Sequence, residues 1–278
     1  MRYFSETFMK EFDYIYLWAI LRYDGLMKTR TIILKEGIQM SVAGLAVALG
    51  FTFIHIGSRH FRLRFFTVNQ FTSFVGGISL AYVFFHLIPA VRSYELEVMR
   101  YFQINAVNAS HVISGTILMG IIIFYFLEVA LKSTRLRMIR FIHHSTGLFW
   151  ATIGSYFLYN FIVGFLLATH HFKSPATALF YLLAIGFHFL TNDWVLRQHF
   201  KVLYDQYGLK LLVIAVLSGF ILGTNIHVPH LAIGLLEAFV AGGLTLNAIK
   251  DELPACSGTG LTSFMVGLSL YSLLLLAL

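Results

Sequence analysis

The sequence predicts an all-α polytopic membrane protein with eight transmembrane helices, and three observations lead to that prediction. Hydrophobic residues make up 58% of the 278 residues, charged residues make up 12%, and the mean hydropathy is +0.77. A soluble domain carries about 25% charged residues. The hydrophobic residues also occur in long uncharged runs, and a run of roughly 18 residues crosses ~30 Å of hydrocarbon as a helix. A transmembrane β-barrel would instead need alternating segments of about 10 residues.

Eight apolar runs, each with at most one charged residue, are long enough to be membrane spans. Numbered from 1 to 8, they cover residues 37–57, 68–90, 109–131, 146–168, 176–195, 209–228, 230–249 and 260–278. These spans and their short loops use the chain from residue 37 to residue 278. We therefore expect one membrane domain at 37–278, embedded in the lipid bilayer, and no soluble domain.

The first 36 residues differ from the rest because their apolar residues alternate with charged ones. The apolar run from Tyr14 to Leu21 is too short to cross the bilayer. Tyr and Trp prefer the membrane interface, so we predict that residues 1–36 form an interfacial amphipathic segment. The alternative is a helix that docks on a partner membrane protein. Both interpretations predict surface binding.

Composition and charge also exclude several classes of protein. The single cysteine, Cys256, can form neither an internal disulfide nor a thiolate metal cluster. The first fourteen residues mix acidic with basic residues, unlike a signal peptide, so we expect no cleaved targeting segment. The net charge of +7 could suit nucleic acid, but the basic residues are separated by membrane side, so we expect no nucleic-acid partner.

The distribution of basic residues predicts the orientation. Ten lie after spans 1, 3 and 5, namely Arg59, Arg62, Arg64, Lys132, Arg135, Arg137, Arg140, Arg197, Lys201 and Lys210. Three lie after spans 2, 4 and 6, namely Arg92, Arg100 and Lys173. The positive-inside rule makes the first side cytoplasmic, and both termini then lie on the non-cytoplasmic face. The six basic residues of the N-terminal segment are mixed with five acidic ones and are left out of this count.

A recurring pattern predicts an inverted repeat. Gly76-Gly77-Ile78-Ser79-Leu80 leads to Pro89-Ala90, and Gly242-Gly243-Leu244-Thr245-Leu246 leads to Pro254-Ala255. The two copies fall in spans 2 and 7, which are an odd number of helices apart and so cross in opposite directions. Chance recurrence is the alternative, since small residues are common in membrane helices. We predict a repeat of three plus three helices around the central spans 4 and 5, where such transporters bind their substrates.

Polar residues at membrane depth concentrate in these central spans. Span 4 carries Tyr156, Tyr159 and Asn160, and span 5 carries His188, Thr191, Asn192 and Asp193. A carboxylate at this depth predicts a functional site. Asp193 could instead lie near the helix end and pair with Arg197 one turn later. His188 and Asn160 could likewise serve only as hydrogen bonds between helices.

Further candidates lie outside the central spans. They are His55, His86, His111, Glu128, His227, His230 and Glu237. Lys132 is one turn after Glu128 and can pair with it. Glu237 has no such neighbour, so we expect it to face the protein interior with a specific partner, either His86 or His55.

These residues together resemble the ZIP (Zrt/Irt-like) divalent metal transporters, over nearly all of residues 37–278. Residues 76–89 are similar to the family's second helix, which ends His-Leu-x-Pro, and residues 115–131 with Glu128 are similar to its third. Residues 241–254 are similar to its seventh, which ends Glu-Leu-Pro-Glu. The resemblance implies eight helices, both termini outside, and a divalent metal ion such as zinc as the bound cargo.

The metal motifs depart from that family pattern. Where the family has His-Asn-x-x-Asp/Glu-Gly in helix 4, this chain has Tyr159-Asn160-Phe161-Ile162-Val163-Gly164. Where it has His-Glu-x-Pro-His/Glu in helix 5, this chain has His188-Phe189-Leu190-Thr191-Asn192, followed by Asp193. The remaining metal candidates are His188, Asn160, Asn192 and Asp193, with His86 and Glu237 as more distant ones. In helices 4 and 5 only His188 and Asp193 are strong ligands, fewer than the four that zinc usually takes.

Three functions follow from this sequence. The first is transport of a divalent cation through a weakened site. The second is a non-transporting ZIP-like subunit, structural or regulatory, of a larger membrane assembly. The third, a haem protein or membrane enzyme, lacks the clustered histidines it would need, so we expect no enzyme. We also expect Tyr159 to fill the space of a metal at the helix 4–5 site, so that zinc does not bind there. The identity of the ion, the host membrane and the formation of a dimer stay open.

Overall fold

A computed structural model describes residues 42–60, 67–138, 145–170, 172–226, 228–253 and 258–277. Throughout these ranges the regular structure is helical and no strand occurs. Gly44–Leu278 forms one compact unit. The N-terminal segment 1–36, for which the sequence predicts an interfacial helix, lies outside the described residues.

Ten α-helices follow one another along the described chain. They are α1 (Val42–Gly57), α2 (Val68–Tyr82), α3 (Ile88–Arg92), α4 (Glu95–Phe102), α5 (Ala106–Met138), α6 (Ser145–Thr169), α7 (Pro175–Leu203), α8 (Leu209–Asn225), α9 (His230–Asn247) and α10 (Gly258–Leu276). Three π-helical turns extend α2, α7 and α9 at Val83–Leu87, Tyr204–Gly208 and Ala248–Glu252.

Six helical stretches of the described chain are long and apolar enough to cross a membrane. They are Val68–Phe102, Ala106–Phe126, Thr146–Thr169, Pro175–Asn225, His230–Lys250 and Gly258–Leu276. Helix α1 is also apolar but shorter. The prediction of an all-α polytopic membrane protein is therefore confirmed.

Two of the long helices begin at capping boxes that the sequence encodes. Thr67 caps α2, and its hydroxyl and the side chain of Gln70 each bind the other residue's backbone N–H. Ser174 and Thr177 do the same at the start of α7, where Pro175 occupies the first turn. These reciprocal bonds satisfy backbone donors that have no partner inside the helix.

Glycines join three pairs of helices at very short range. In each pair, a Cβ added to a glycine on either helix would collide with a carbonyl oxygen of the other helix. The contacts are Gly77 with Phe264 and Gly267 with Phe74 for α2 and α10, Gly120 with Phe239 and Gly242 with Ile117 for α5 and α9, and Gly164 with Val216 and Gly219 with Phe161 for α6 and α8. Small residues allow helix backbones to approach closely within a membrane. The glycines therefore determine which helices are neighbours.

The largest cluster of buried residues lies between α1, α2, α6, α7 and α9. Phe51, Tyr82, Tyr159 and Phe189 belong to it, and each of these aromatic side chains is at most 2% exposed. This aromatic core surrounds the buried polar residues.

Candidate functional site

The first buried polar cluster joins α1, α6 and α7, and we call it the His55 cluster. His55 Nδ1 lies 3.0 Å from both carboxylate oxygens of Asp193, and His55 Nε2 lies 3.0 Å from Oδ1 of Asn160. The Tyr204 hydroxyl donates a hydrogen bond of 2.6 Å to Asp193 Oδ1. His55, Asp193 and Tyr204 are fully buried, and Asn160 is 1% exposed.

The hydrogen bonds determine the charge of the His55 cluster. The Asn160 amide nitrogen donates to the Tyr156 carbonyl oxygen at 2.8 Å, so the amide oxygen faces His55. An amide oxygen only accepts, and His55 Nε2 therefore carries a proton. One further proton is shared between His55 Nδ1 and the Asp193 carboxylate. The pair is therefore neutral overall, whichever of the two residues holds that proton.

The second buried cluster joins α7 to the end of the α9 segment, and we call it the His188 cluster. His188 Nδ1 lies 2.8 Å from Oε1 of Glu252, and the Thr191 hydroxyl also donates to this oxygen at 2.8 Å. The Asn192 amide nitrogen lies 3.1 Å from His188 Nε2. An amide nitrogen only donates, so Nε2 accepts and the single proton of His188 is on Nδ1. His188 is therefore neutral, and Oε1 of Glu252 accepts two hydrogen bonds, from His188 and Thr191.

Aromatic rings fill the space between the two clusters. The Phe189 ring stacks on His55 with ring centres 5.0 Å apart. The Tyr159 ring contacts His188 edge-on, with ring centres 6.1 Å apart, and also packs against Phe189. Since Tyr159 is 1% exposed and Phe189 is fully buried, this part of the core is closed by side chains.

A third polar group lines a cavity of about 30 Å³ beside the middle of α9. This volume holds about two water molecules. Glu237, His86, His170 and Tyr82 line it, and His170 Nδ1 lies 3.8 Å from Glu237 Oε1. Tyr94 also interacts with the Glu237 carboxylate.

Four candidates from the sequence divide between the two clusters. Asn160 and Asp193 belong to the His55 cluster, whereas His188 and Asn192 belong to the His188 cluster. The alternative pairing of Asp193 with Arg197 is wrong, because the Arg197 guanidinium binds Asp205 at 2.8 Å.

The two more distant candidates, His86 and Glu237, line the same cavity. Our expectation that Glu237 pairs with His86 or His55 is corrected, because its nearest imidazole is that of His170. His55, which the sequence also places outside the central spans, is the centre of the His55 cluster, whereas His111 and His230 contribute to neither cluster. His111 is exposed, His230 faces Glu97 at the surface, and the side chain of Glu128 and all of His227 lie outside the described part.

Sequence analysis missed two residues of these clusters. Glu252 stands at the end of span 7 within Glu252-Leu253-Pro254, and its position after a long uncharged run was the available signal. Tyr204 lies beyond the predicted end of span 5, in the π-helical turn after α7. Glu252 is 64 residues from its partner His188, and Tyr204 is 11 residues from its partner Asp193. Local sequence patterns therefore could not pair Glu252 with His188.

The donor geometry does not fit the metal ion implied by the family resemblance. No three His, Cys, Asp or Glu side chains in the described ranges come together in a group that could hold a metal ion. His188 and Asp193, the strongest predicted donors, each face a different partner. No protein-family model and no curated protein matches the chain.

Proposed function

We propose that the protein is a ZIP-like membrane scaffold whose central polar residues hold helices together, and that it acts as a structural or regulatory subunit of a membrane assembly. The observation that carries this proposal is the separation of His188 and Asp193. His188 binds Glu252 of the α9 segment, whereas Asp193 binds His55 of α1. Each residue therefore ties α7 to a different helix.

The proposed scaffold crosses the membrane eight times. Pro175–Asn225 is 51 residues long, more than twice the ~20 residues that one crossing needs. Its backbone leaves helical geometry at Phe200, with φ −131° and ψ 34°, and the π-helical turn Tyr204–Gly208 follows. The stretch therefore supplies two crossings, one on each side of the break. Helix α1 supplies one more and the five other long stretches supply five, which makes eight. Helix α1 is short, but five residues of predicted span 1 precede it outside the described part.

The glycine contacts support the proposed inverted repeat. A rotation that exchanges spans 1–3 with spans 6–8 exchanges the pair α2 and α10 with the pair α9 and α5. Both pairs use the same contact, in which a glycine faces a carbonyl oxygen three residues before the partner helix's glycine. The repeated Gly-Gly motif supplies one contact glycine in each copy. In the first copy it is the second glycine, Gly77, and in the second copy it is the first glycine, Gly242.

Transport of a divalent cation is the second candidate function. The cavity lined by Glu237, His86 and His170 favours it, because ionisable residues around a cavity at membrane depth are typical of an ion pathway. A transporter needs a continuous hydrated path from this cavity to the central residues. The closed packing of Tyr159 and Phe189 favours the scaffold instead.

Gentle detergent extraction tests the scaffold proposal. The full chain should purify with one or more partner membrane proteins in constant ratio, and deletion of residues 1–36 should release them if this segment carries the docking site. The matched control is a variant that keeps residues 1–36 but loses the exposed Glu97 carboxylate. Recovery of the full chain alone, together with tightly bound zinc, would contradict the scaffold and favour transport.

A further inference from the structure

Four deeply buried oxygen atoms in the centre of the bundle have no hydrogen-bond partner among the described residues. They are Ser79 Oγ, Tyr82 Oη, Tyr159 Oη and Glu252 Oε2. The four residues are each at most 2% exposed. Buried polar atoms almost always have a partner, so several unpaired oxygens in one region indicate a bound water or ion.

The four oxygens share one interface, between α2, α6 and the π-helical turn after α9. A Cβ added to Gly76 would lie 2.7 Å from the Cβ and the carbonyl oxygen of Glu252, so α2 lies directly against this residue. Ser79 is a neighbour of Gly76 on the surface of α2, three residues later, and Tyr82 is in turn a neighbour of Ser79, again three residues later. The Tyr159 phenol interacts electrostatically with both Glu252 and Tyr82.

The charge at this interface selects a cation over water alone. The His188 imidazole accepts from Asn192 at Nε2 and so holds its single proton on Nδ1, and it therefore brings no positive charge to the Glu252 carboxyl group beside it. One carboxylate oxygen binds His188 and Thr191, while the other is unpaired within the described part. A buried carboxylate in a membrane protein needs a compensating positive charge.

We propose that a monovalent alkali cation, of the size of sodium or potassium, binds Glu252 Oε2 with Ser79 Oγ and Tyr159 Oη as further ligands. The donors are oxygens, which hard cations prefer. A single positive charge neutralises the single carboxylate, whereas a divalent ion would leave an excess charge in the bilayer. This cation would be structural, and its binding does not depend on the proposed scaffold function.

A cavity adjoins this interface at Tyr82. Tyr82 lines the cavity, and its hydroxyl has no hydrogen-bond partner within the described part of the chain. The cavity of about 30 Å³ holds a small ion with one water.

Equilibrium binding of radioactive sodium and of rubidium, as a potassium analogue, tests the proposal with purified protein in detergent. We expect saturable binding of one of these ions and a higher midpoint of thermal unfolding in its chloride than in choline chloride at equal ionic strength. Glu252→Gln should abolish both effects. Ser79→Ala should weaken binding about tenfold, which corresponds to roughly 1.4 kcal/mol.

The control is Glu97→Gln, because Glu97 faces His230 at 3.1 Å but is 38% exposed. This variant should bind the cation as the natural chain does. Saturable binding that Glu252→Gln retains, or no binding by the natural chain, would overturn the proposal and leave water as the occupant. If Glu252→Gln does not fold, the natural chain and Ser79→Ala decide the matter by the same two measurements.

Discussion

Removal of the Asp193 carboxylate should strongly destabilise the protein. Asp193→Ala deletes both contacts with His55 and the 2.6 Å hydrogen bond from Tyr204. The His55 imidazole and the Tyr204 hydroxyl then lose their partner at positions that water does not reach, since both are fully buried. Removing one partner of a buried ion pair costs about 3–5 kcal/mol. We expect a loss in that range.

The chain contains a matched surface pair for comparison. Glu97 and His230 also join a carboxylate to an imidazole, at 3.1 Å, but the two side chains are 38% and 63% exposed. Surface ion pairs contribute less than about 1 kcal/mol, because water solvates both partners when the pair is broken. Glu97→Ala should therefore cost less than about 1 kcal/mol.

The assay is reversible unfolding in bicelles with increasing dodecyl sulfate, followed by loss of helical circular dichroism. A double-mutant cycle with His55→Ala isolates the interaction of the pair. The sum of the losses of unfolding free energy in the two single variants should exceed the loss in the double variant by more than about 0.5 kcal/mol. If Asp193→Ala costs no more than Glu97→Ala, or if the cycle shows no coupling, the His55 cluster does not tie α1 to α7.

The remaining predictions concern helix contacts, a helix start and topology. Gly164→Ala should destabilise the protein by about 1–3 kcal/mol, because the added methyl group overpacks against the Val216 carbonyl. The control is Gly154→Ala on the same helix, where the added methyl group meets nothing within 4 Å and should not destabilise the protein. Equal effects of the two substitutions in the same unfolding assay would contradict the close packing of α6 on α8. Thr67→Ala should cost about 0.5–2 kcal/mol by removing the cap of α2, and an unchanged unfolding midpoint would disprove a stabilising capping box. Tags at residues 1 and 278 should both be cleaved by protease outside sealed cells, and protection of either tag would reverse the proposed orientation.

The helices were predictable because long uncharged runs are a local property of the sequence. The ends of the helices were harder to predict. Span 5 was predicted to end at residue 195, two residues before Arg197, but α7 continues to Leu203. Arg197 does not interrupt the helix, because its side chain binds Asp205 and lies over the Tyr204 ring. Charge therefore marked the edge of the apolar run rather than the end of the helix.

The polar residues of the centre were predictable, but their partners were not. His188 and Asp193 are visible in the sequence because polar residues are rare within apolar runs. The helix period also separates them, because ~100° per residue places Asp193 on a different side of α7 from His188 and Asn192. Their partners come from helices 64 and 138 residues away. Only tertiary packing decides whether such donors converge on an ion or pair with other residues.

Zinc binding and zinc flux test the central claim most directly, since the scaffold account assigns His188 and Asn160 to helix contacts. The measurement is zinc titration of the purified protein, followed by zinc flux into liposomes, for the natural chain, His188→Ala and Asn160→Ala. The account predicts no saturable flux above that of empty liposomes, and lower stability of both variants whether or not zinc is present. Saturable flux in the natural chain that both substitutions abolish would contradict the account and establish transport.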